Sequence, residues 1–166
     1  MKKVLIIILI LISIILLNRN NDISNDIIRF RVIANSNSSK DILIKEKIVS
    51  EISDLIFVDN KSIEETRKNI NNSIPAIESK IEKVFESNNY DKDFKISYGL
   101  NKFPKKEYEG IEFVEGEYES LVIEIGEAKG NNYWCMLYPP LCFIDNSKED
   151  NIEYKFKLIE ALKKLF

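Results

Sequence analysis

The chain has 166 residues, of which 45% are hydrophobic, and its formal net charge at pH 7 is −3. A chain of this length and apolar content can bury a full core, so we expect one folded domain and not a disordered chain. Nucleic acid is a poor partner, because affinity for phosphate backbones comes from clustered lysine and arginine. Residues 107–127 contain eight glutamates and no basic residue, which is typical of a solvated acidic face.

The N-terminus has the layout of an export signal. Two lysines precede an aliphatic run, residues 4–17, that only Ser13 interrupts, and polar residues follow it. As a helix this run reaches about 21 Å, short of a hydrocarbon core of about 30 Å. We therefore predict that residues 1–17 are a signal peptide. Because no small residues spaced as A-x-A follow Leu17, a retained signal anchor stays open.

Residues 18–26 are polar and rich in asparagine, which is typical of a short linker, and a single domain follows at residues 27–166. The domain begins with a predicted strand at residues 27–34, where β-branched and aromatic residues are frequent. Apolar side chains at even positions alternate there with Arg29 and Arg31. This period of two predicts one buried face and one exposed face.

Two helical patterns follow this strand. Ser38 and Asp41 resemble a capping box, and isoleucines at helical spacing predict a helix over residues 40–57. A second isoleucine stripe starts at Ile63 and continues past Pro75. Because proline lacks the N–H that a helix interior uses, we expect a break two or three residues before Pro75, or a bend at it.

Beyond residue 93 the apolar period changes to two, which predicts strands. The predicted strands are residues 94–98, 107–114, 121–125 and 133–138. Short connections favour antiparallel pairing between them, and a helical period returns at residues 152–166. We therefore predict an α+β fold, with an antiparallel sheet covered by helices and preceded by the N-terminal export signal or anchor helix.

Catalytic chemistry has little support in this sequence. The chain contains no histidine, which removes the commonest general base and metal ligand. The segment from Gly126 to Gly130 lacks the Gly-Lys-Ser/Thr of a phosphate loop, so we interpret it as a connecting turn. Carboxylates such as Glu117 with Glu119, or Glu124 with Glu127, could serve a hydrolase, but nothing singles out one pair. A carboxylate-dependent hydrolase therefore stays open at this point, and no residue pattern indicates a cofactor, a metal or a small-molecule substrate.

Residues 126–145 hold both cysteines, the only tryptophan and a proline pair. Cys135 and Cys142 enclose an eight-residue loop, which a disulfide would stabilise by roughly 2.5 kcal/mol. We predict this disulfide because export implies an oxidising compartment, while two buried free thiols stay the alternative. The rings of the segment, Trp134 among them, either fill the core or anchor a partner.

Two segments carry a family resemblance: RFRVIANSNS at residues 29–38 and EGEYESLVIEIGEAKGNNYWCMLYPPLCFID at residues 115–145. In the second segment, G-E-Y, I-G-E, N-x-W-C and P-P-L-C-F elements follow one another in order. Together they resemble the stage II sporulation protein R family of endospore-forming bacteria. Three positions depart from the usual pattern of that family, which has histidine, aspartate and tryptophan where this chain has Arg31, Asn37 and Tyr133.

The resemblance implies an exported, non-enzymatic signal made in the forespore. Such a protein acts in the space between the forespore and mother-cell membranes, reached through its leader. There it activates a membrane-embedded aspartic protease that processes a mother-cell pro-sigma factor. We place the candidate partner contacts in both resembling segments, at Arg29, Arg31, Asn35, Tyr133, Trp134, Pro139 and Pro140. Two other classes stay open: an extracytoplasmic hydrolase that uses carboxylates, and a membrane-tethered structural or interaction module.

Overall fold

The computed structural model describes residues 27–108 and 111–140. The predicted leader, linker and C-terminal helix lie outside these described residues. None of the helices in the described ranges has the length and apolar character needed to span a membrane. The elements are β1 (Ile28–Ile33), α1 (Ser39–Ile56), α2 (Ile63–Ser87), β2 (Phe94–Phe103), β3 (Lys106–Tyr108), β4 (Ile111–Phe113), β5 (Gly116–Ile125) and β6 (Asn132–Tyr138).

The main sheet has four strands in the order β2-β5-β1-β6 and is mixed. β1 is parallel to β5 and antiparallel to β6, while β2 is antiparallel to β5. The prediction of an antiparallel sheet is therefore wrong for the central pair. Both helices and the strands β2, β3 and β4 separate β1 from β5 along the chain, and a crossover of that length permits parallel pairing. The α+β class itself is confirmed.

A separate two-stranded sheet, β3 with β4, replaces the single strand predicted at residues 107–114. The other predicted strands are present, and β2 and β5 are longer than expected. β6 ends at Tyr138, directly before the two prolines, as predicted.

The hydrophobic core lies between the two helices and one face of the sheet. Side chains at alternate positions of each strand project into it, because successive residues of a strand point to opposite faces. Its fully buried members include Ile44, Ile48 and Ile52 from α1 and Ile70, Ile77 and Ile81 from α2, together with Phe30, Val32, Leu121 and Ile123 from the sheet. Burial of these chains supplies most of the stability of the domain.

Local signals set the helix boundaries. The side chain of Ser38 accepts a hydrogen bond from the backbone N–H of Asp41 over 3.2 Å, so the predicted N-cap is confirmed. α2 is one helix that includes Pro75, so the break, the first of the two predicted alternatives, does not occur. Its proline is exposed, and Ile70 and Ile77 on either side of it are fully buried. We attribute the continuity of the helix to this packing, which outweighs the missing N–H.

Residues 34–37, at the end of β1, bind residues 126–131, the turn between β5 and β6; we call this contact the clasp. The side-chain amide oxygens of Asn35 and Asn37 accept backbone N–H groups of that turn over 3.0 and 2.7 Å. The backbone N–H of Gly130 donates to the carbonyl at the end of β1 over 2.8 Å. The clasp therefore positions both central strands relative to α1.

Replacement of Gly130 by alanine tests the clasp. A Cβ there would lie 2.3 Å from the backbone oxygen of Ser36, so one of the two segments must shift. We expect Gly130→Ala to lower the free energy of unfolding by about 1–3 kcal/mol in urea denaturation. Gly116→Ala is the control, since its Cβ would lie at an ordinary 3.7 Å from the Tyr118 ring. Equal losses from both variants would contradict a tight clasp.

Candidate partner-binding surface

The sheet face opposite the helices carries arginines beneath aromatic rings. Arg29 projects onto this face from β1 and has 0% of its surface exposed. The prediction that β1 has one exposed face is therefore wrong. Phe103 of β2, Phe113 of β4 and Tyr118 of β5, which are all buried, cover that face of the strand.

Arg29 lies at the centre of this ring layer. The carbon of its guanidinium group is 4.3 Å from the ring centroid of Phe103, 4.6 Å from that of Tyr118 and 5.6 Å from that of Phe113. A cation close to ring faces is attracted by their quadrupoles, more strongly where water is excluded. Arg29 therefore orders the rings from within and exposes no surface to a partner.

Arg31 and Trp134 lie side by side next to this layer, and we call them the Arg31–Trp134 patch. They occupy paired positions of β1 and β6, and the guanidinium carbon of Arg31 is 5.2 Å from the indole centroid. Both side chains are partly exposed. Burial lowers the pKa of Arg31, while the charge of Glu124 acts in the opposite direction. The patch therefore presents a partly desolvated cation beside an aromatic ring, a combination suited to a carboxylate or an aromatic side chain of a partner.

The other four predicted contact residues lie elsewhere. Tyr133 points to the helix side of the sheet, where its ring is 6.0 Å from that of Phe30 and burial raises its pKa. Asn35 belongs to the clasp. Pro139 and Pro140 follow β6, and the peptide bond before Pro139 is cis. The structure thus brings together three of the seven residues, Arg29, Arg31 and Trp134.

Sequence reasoning missed Phe103, which contacts the rings or guanidinium groups of several layer members. Its ring is 5.5 Å from that of Trp134 and 5.3 Å from the guanidinium carbon of Arg31. The alternating pattern predicted a strand over residues 94–98 only. The structure continues β2 to Phe103, so the predicted strand ended before it reached this apolar ring.

Sequence reasoning also missed the buried group of polar side chains that hydrogen-bond to one another beside the clasp. Asp41 is 6% exposed, and its carboxylate accepts hydrogen bonds from Ser36 Oγ, Asn35 Nδ2 and Tyr90 Oη over 2.5, 2.9 and 2.6 Å. Burial acts to raise the pKa of Asp41, but the hydrogen bonds together outweigh it and hold the pKa well below its usual range. The carboxylate consequently stays ionised and ties α1 to the clasp.

Three of the four carboxylates considered for catalysis, Glu119, Glu124 and Glu127, have ion-pair partners in the domain. Glu119 accepts a fork of hydrogen bonds from Arg67, at 2.8–3.1 Å, and another from the hydroxyl of Tyr98. Burial opposes ionisation of Glu119, yet these bonds lower its pKa, so it does not suit the role of a general acid. Glu127 pairs with Lys129 at 2.7 Å on the surface. In the part of the chain that the structure describes, no cluster of histidine, cysteine or acidic residues could hold a metal ion.

The turn at residues 126–131 donates its backbone N–H groups within the domain. The acceptors are Asp93 O, Asn35 Oδ1, Ile125 O, Asn35 O, Ala34 O and Asn37 Oδ1, in chain order of the donors. These N–H groups are therefore committed to the clasp and its neighbours and not to a phosphate. The interpretation of this segment as a connecting turn is confirmed.

The structure describes only the first of the two cysteines. Cys135 lies in β6 on the helix side and is 5% exposed. Cys142 lies outside the described residues. The disulfide between them stays a prediction.

The fold and this surface define a small α+β domain with a clasped central sheet, and comparisons with known proteins assign its family. The family model "Stage II sporulation protein R" matches residues 24–148. Stage II sporulation protein R of Bacillus subtilis (strain 168) is 33% identical over 134 residues, which cover 79% of this chain and 60% of the relative. No solved structure matches.

The chain therefore belongs to the stage II sporulation protein R family, which confirms the resemblance and supports a role in sporulation. The matched region spans 60% of the length of the curated relative.

The ionised Asp41 predicts a pH dependence of stability. Because its folded-state pKa is depressed, its contribution is present above the unfolded pKa of about 3.9 and is lost as the pH falls below that value. We expect Asp41→Asn to lower the free energy of unfolding by about 2 kcal/mol at pH 7 and by less at pH 3. Denaturation at both pH values measures this, and Asp91→Asn, whose side chain is 91% exposed, is the control. A deficit that does not shrink in acid would contradict the assignment.

Proposed function

We propose that this protein is an exported, non-enzymatic sporulation signal that activates a membrane-embedded aspartic protease, which then processes a mother-cell pro-sigma factor. Its place of action is the space between the forespore and mother-cell membranes. The leader at residues 1–17 directs it there, as a cleaved signal or a retained anchor. Membership of the stage II sporulation protein R family supports this proposal.

The observation that carries an activating contact is the Arg31–Trp134 patch. An activator that performs no chemistry must act through binding, and binding energy concentrates in rigid aromatic and arginine side chains. The patch has both, and the buried ring layer around Arg29 holds it in place. Rigid side chains lose little conformational entropy when a partner binds.

The electrostatics of the patch indicate the chemistry of the contact. Arg31 is partly desolvated in the free protein, so part of the cost of burying its charge has already been met. A carboxylate of the protease could form two parallel hydrogen bonds with the guanidinium group while an apolar group packs on the indole. We infer an acidic or aromatic contact residue on the outward-facing part of the protease.

Production of this protein together with the protease and the pro-sigma factor in a heterologous bacterium tests the function. We expect processing of the pro-sigma factor, measured by immunoblot, when the full chain with its leader is made. A chain that lacks residues 1–17 should give only background processing, because it stays on the wrong side of the membrane. Background processing with the full, exported chain would refute the proposed function.

The patch is tested in the same assay. We expect Trp134→Ala to reduce processing about tenfold, which corresponds to a loss of about 1.4 kcal/mol of binding. Leu43→Ala, which truncates a 49% exposed side chain on α1, is the matched control and should leave processing unchanged. Export and folding of each variant are measured by fractionation and circular dichroism. Undiminished processing by folded, exported Trp134→Ala would remove the patch from the contact.

A further inference from the structure

The outer edge of β2 is a surface that the family assignment does not explain. β2 is ten residues long and pairs along its whole length with β5 on one side. Within residues 27–108 and 111–140, no strand pairs with its other side. An edge of this length offers a row of backbone N–H and C=O groups to an added strand.

The register shows which backbone groups face outward. The N–H of Gly126 donates to the carbonyl of Asp93 over 2.8 Å, which makes these two residues a hydrogen-bonded pair next to the ladder. The register of β2 with β5 is unbroken from Phe94 to Phe103. Hydrogen-bonded and non-bonded pairs alternate in an antiparallel ladder, so odd-numbered residues of β2 bond to β5. The N–H and C=O groups of Ile96, Tyr98 and Leu100 therefore point outward.

The side chains along this edge are basic and apolar. β2 contains two lysines, Lys95 and Lys102, and no acidic residue, in a chain whose net charge is −3. Leu100, at 73%, is the most exposed of the large hydrophobic residues described. Lysines on an edge strand repel neutral or basic strands and so protect against aggregation. The same lysines would attract an acidic strand, and Leu100 would give it an apolar contact.

β5 already illustrates this pairing on the inner side of β2. Lys95 lies opposite Glu124, with Nζ and Oε2 3.7 Å apart, and Lys102 lies opposite Glu117. The side chain of Lys95 is still 74% exposed. Opposite charges across strands stabilise a sheet, whereas a second copy of β2 would bring together two edges that each carry lysines and no acidic residue.

We propose that the outer edge of β2 receives an extended, acidic and apolar segment of the activated protein as an added strand. The identity of that protein rests on the proposed function; the chemistry of the segment rests on the edge. Backbone hydrogen bonds from Ile96, Tyr98 and Leu100 provide affinity, and the lysines select for acidic residues. The Arg31–Trp134 patch, on a different strand, is a second and separate contact.

The first test uses processing of the pro-sigma factor by the full chain. We expect the double variant Lys95→Thr/Lys102→Thr to reduce processing about tenfold, because two charge contacts and their steering effect are lost. Lys61→Thr/Lys68→Thr, at exposed positions near the start of α2, removes the same charge and should process normally. If wild-type chain is active and both double variants match it, the edge proposal fails while the proposed function stands. If the wild-type chain is inactive, the proposed function fails.

The second test reads the backbone directly by hydrogen exchange of the full chain, alone and with the protease, in the same detergent. The amides of Ile96, Tyr98 and Leu100 should exchange quickly alone and at least about tenfold more slowly in the complex. The amides of Lys95 and Ser97 bond to β5 and are the internal control, protected in both states. Binding without added protection of the outward amides would overturn the proposal. Protection of those amides in the free domain, through a second copy or another segment of the chain, would overturn it equally.

Discussion

The clasp is the constraint on which the rest of the domain depends. Asn35 alone makes three connections: its amide oxygen accepts from Glu127 N–H, its amide nitrogen donates to Asp41, and its backbone carbonyl accepts from Lys129 N–H. One short residue thus joins the end of β1, the start of α1 and the β5–β6 turn, which is 92 positions away. The two segments that carry the family resemblance are the two halves of this contact. An aspartate at position 37 would still accept from Asn131 N–H, so the usual family residue there is compatible with the same clasp.

The sheet topology explains why an arginine can be buried at the centre of the domain. β1 has β5 on one side and β6 on the other, so its residues can be covered on both faces. Helices cover one face, and β2, β4 and β5 supply rings for the other. Isolated burial of a guanidinium group would be costly, but rings at 4.3 and 4.6 Å from Arg29 offset part of that cost. The packed side chains of the layer consequently restrict one another, and they also restrict Arg31, which lies at the border of the layer.

Local features of the fold could be predicted from the sequence, and features that depend on distant pairing could not. The Ser38 cap, the isoleucine stripe of α1 and the stop of β6 before two prolines are each encoded within a few residues. The parallel pairing of β1 with β5 depends on a crossover of two helices and three strands, and the argument from short connections does not apply to it. Burial of Arg29 could not be predicted, because alternation reports which side chains are apolar and not what covers the others. The Arg31–Trp134 pair was expected only as separate members of two segments, and the register of β1 with β6 brought them together.

Phe103 connects the outer strand β2 with the Arg31–Trp134 patch. It is the last residue of β2, and its ring contacts Arg29, Arg31 and Trp134, so one side chain lies between the outer strand and the patch. A strand added to β2 would restrict the backbone that carries this ring, while a partner group on Trp134 would restrict the ring itself. Each contact would then reduce the conformational entropy that is lost when the other contact forms. The two contacts would therefore favour each other without a change of fold. A protein that binds through two such contacts would distinguish a partner that offers both from proteins that offer only one of them.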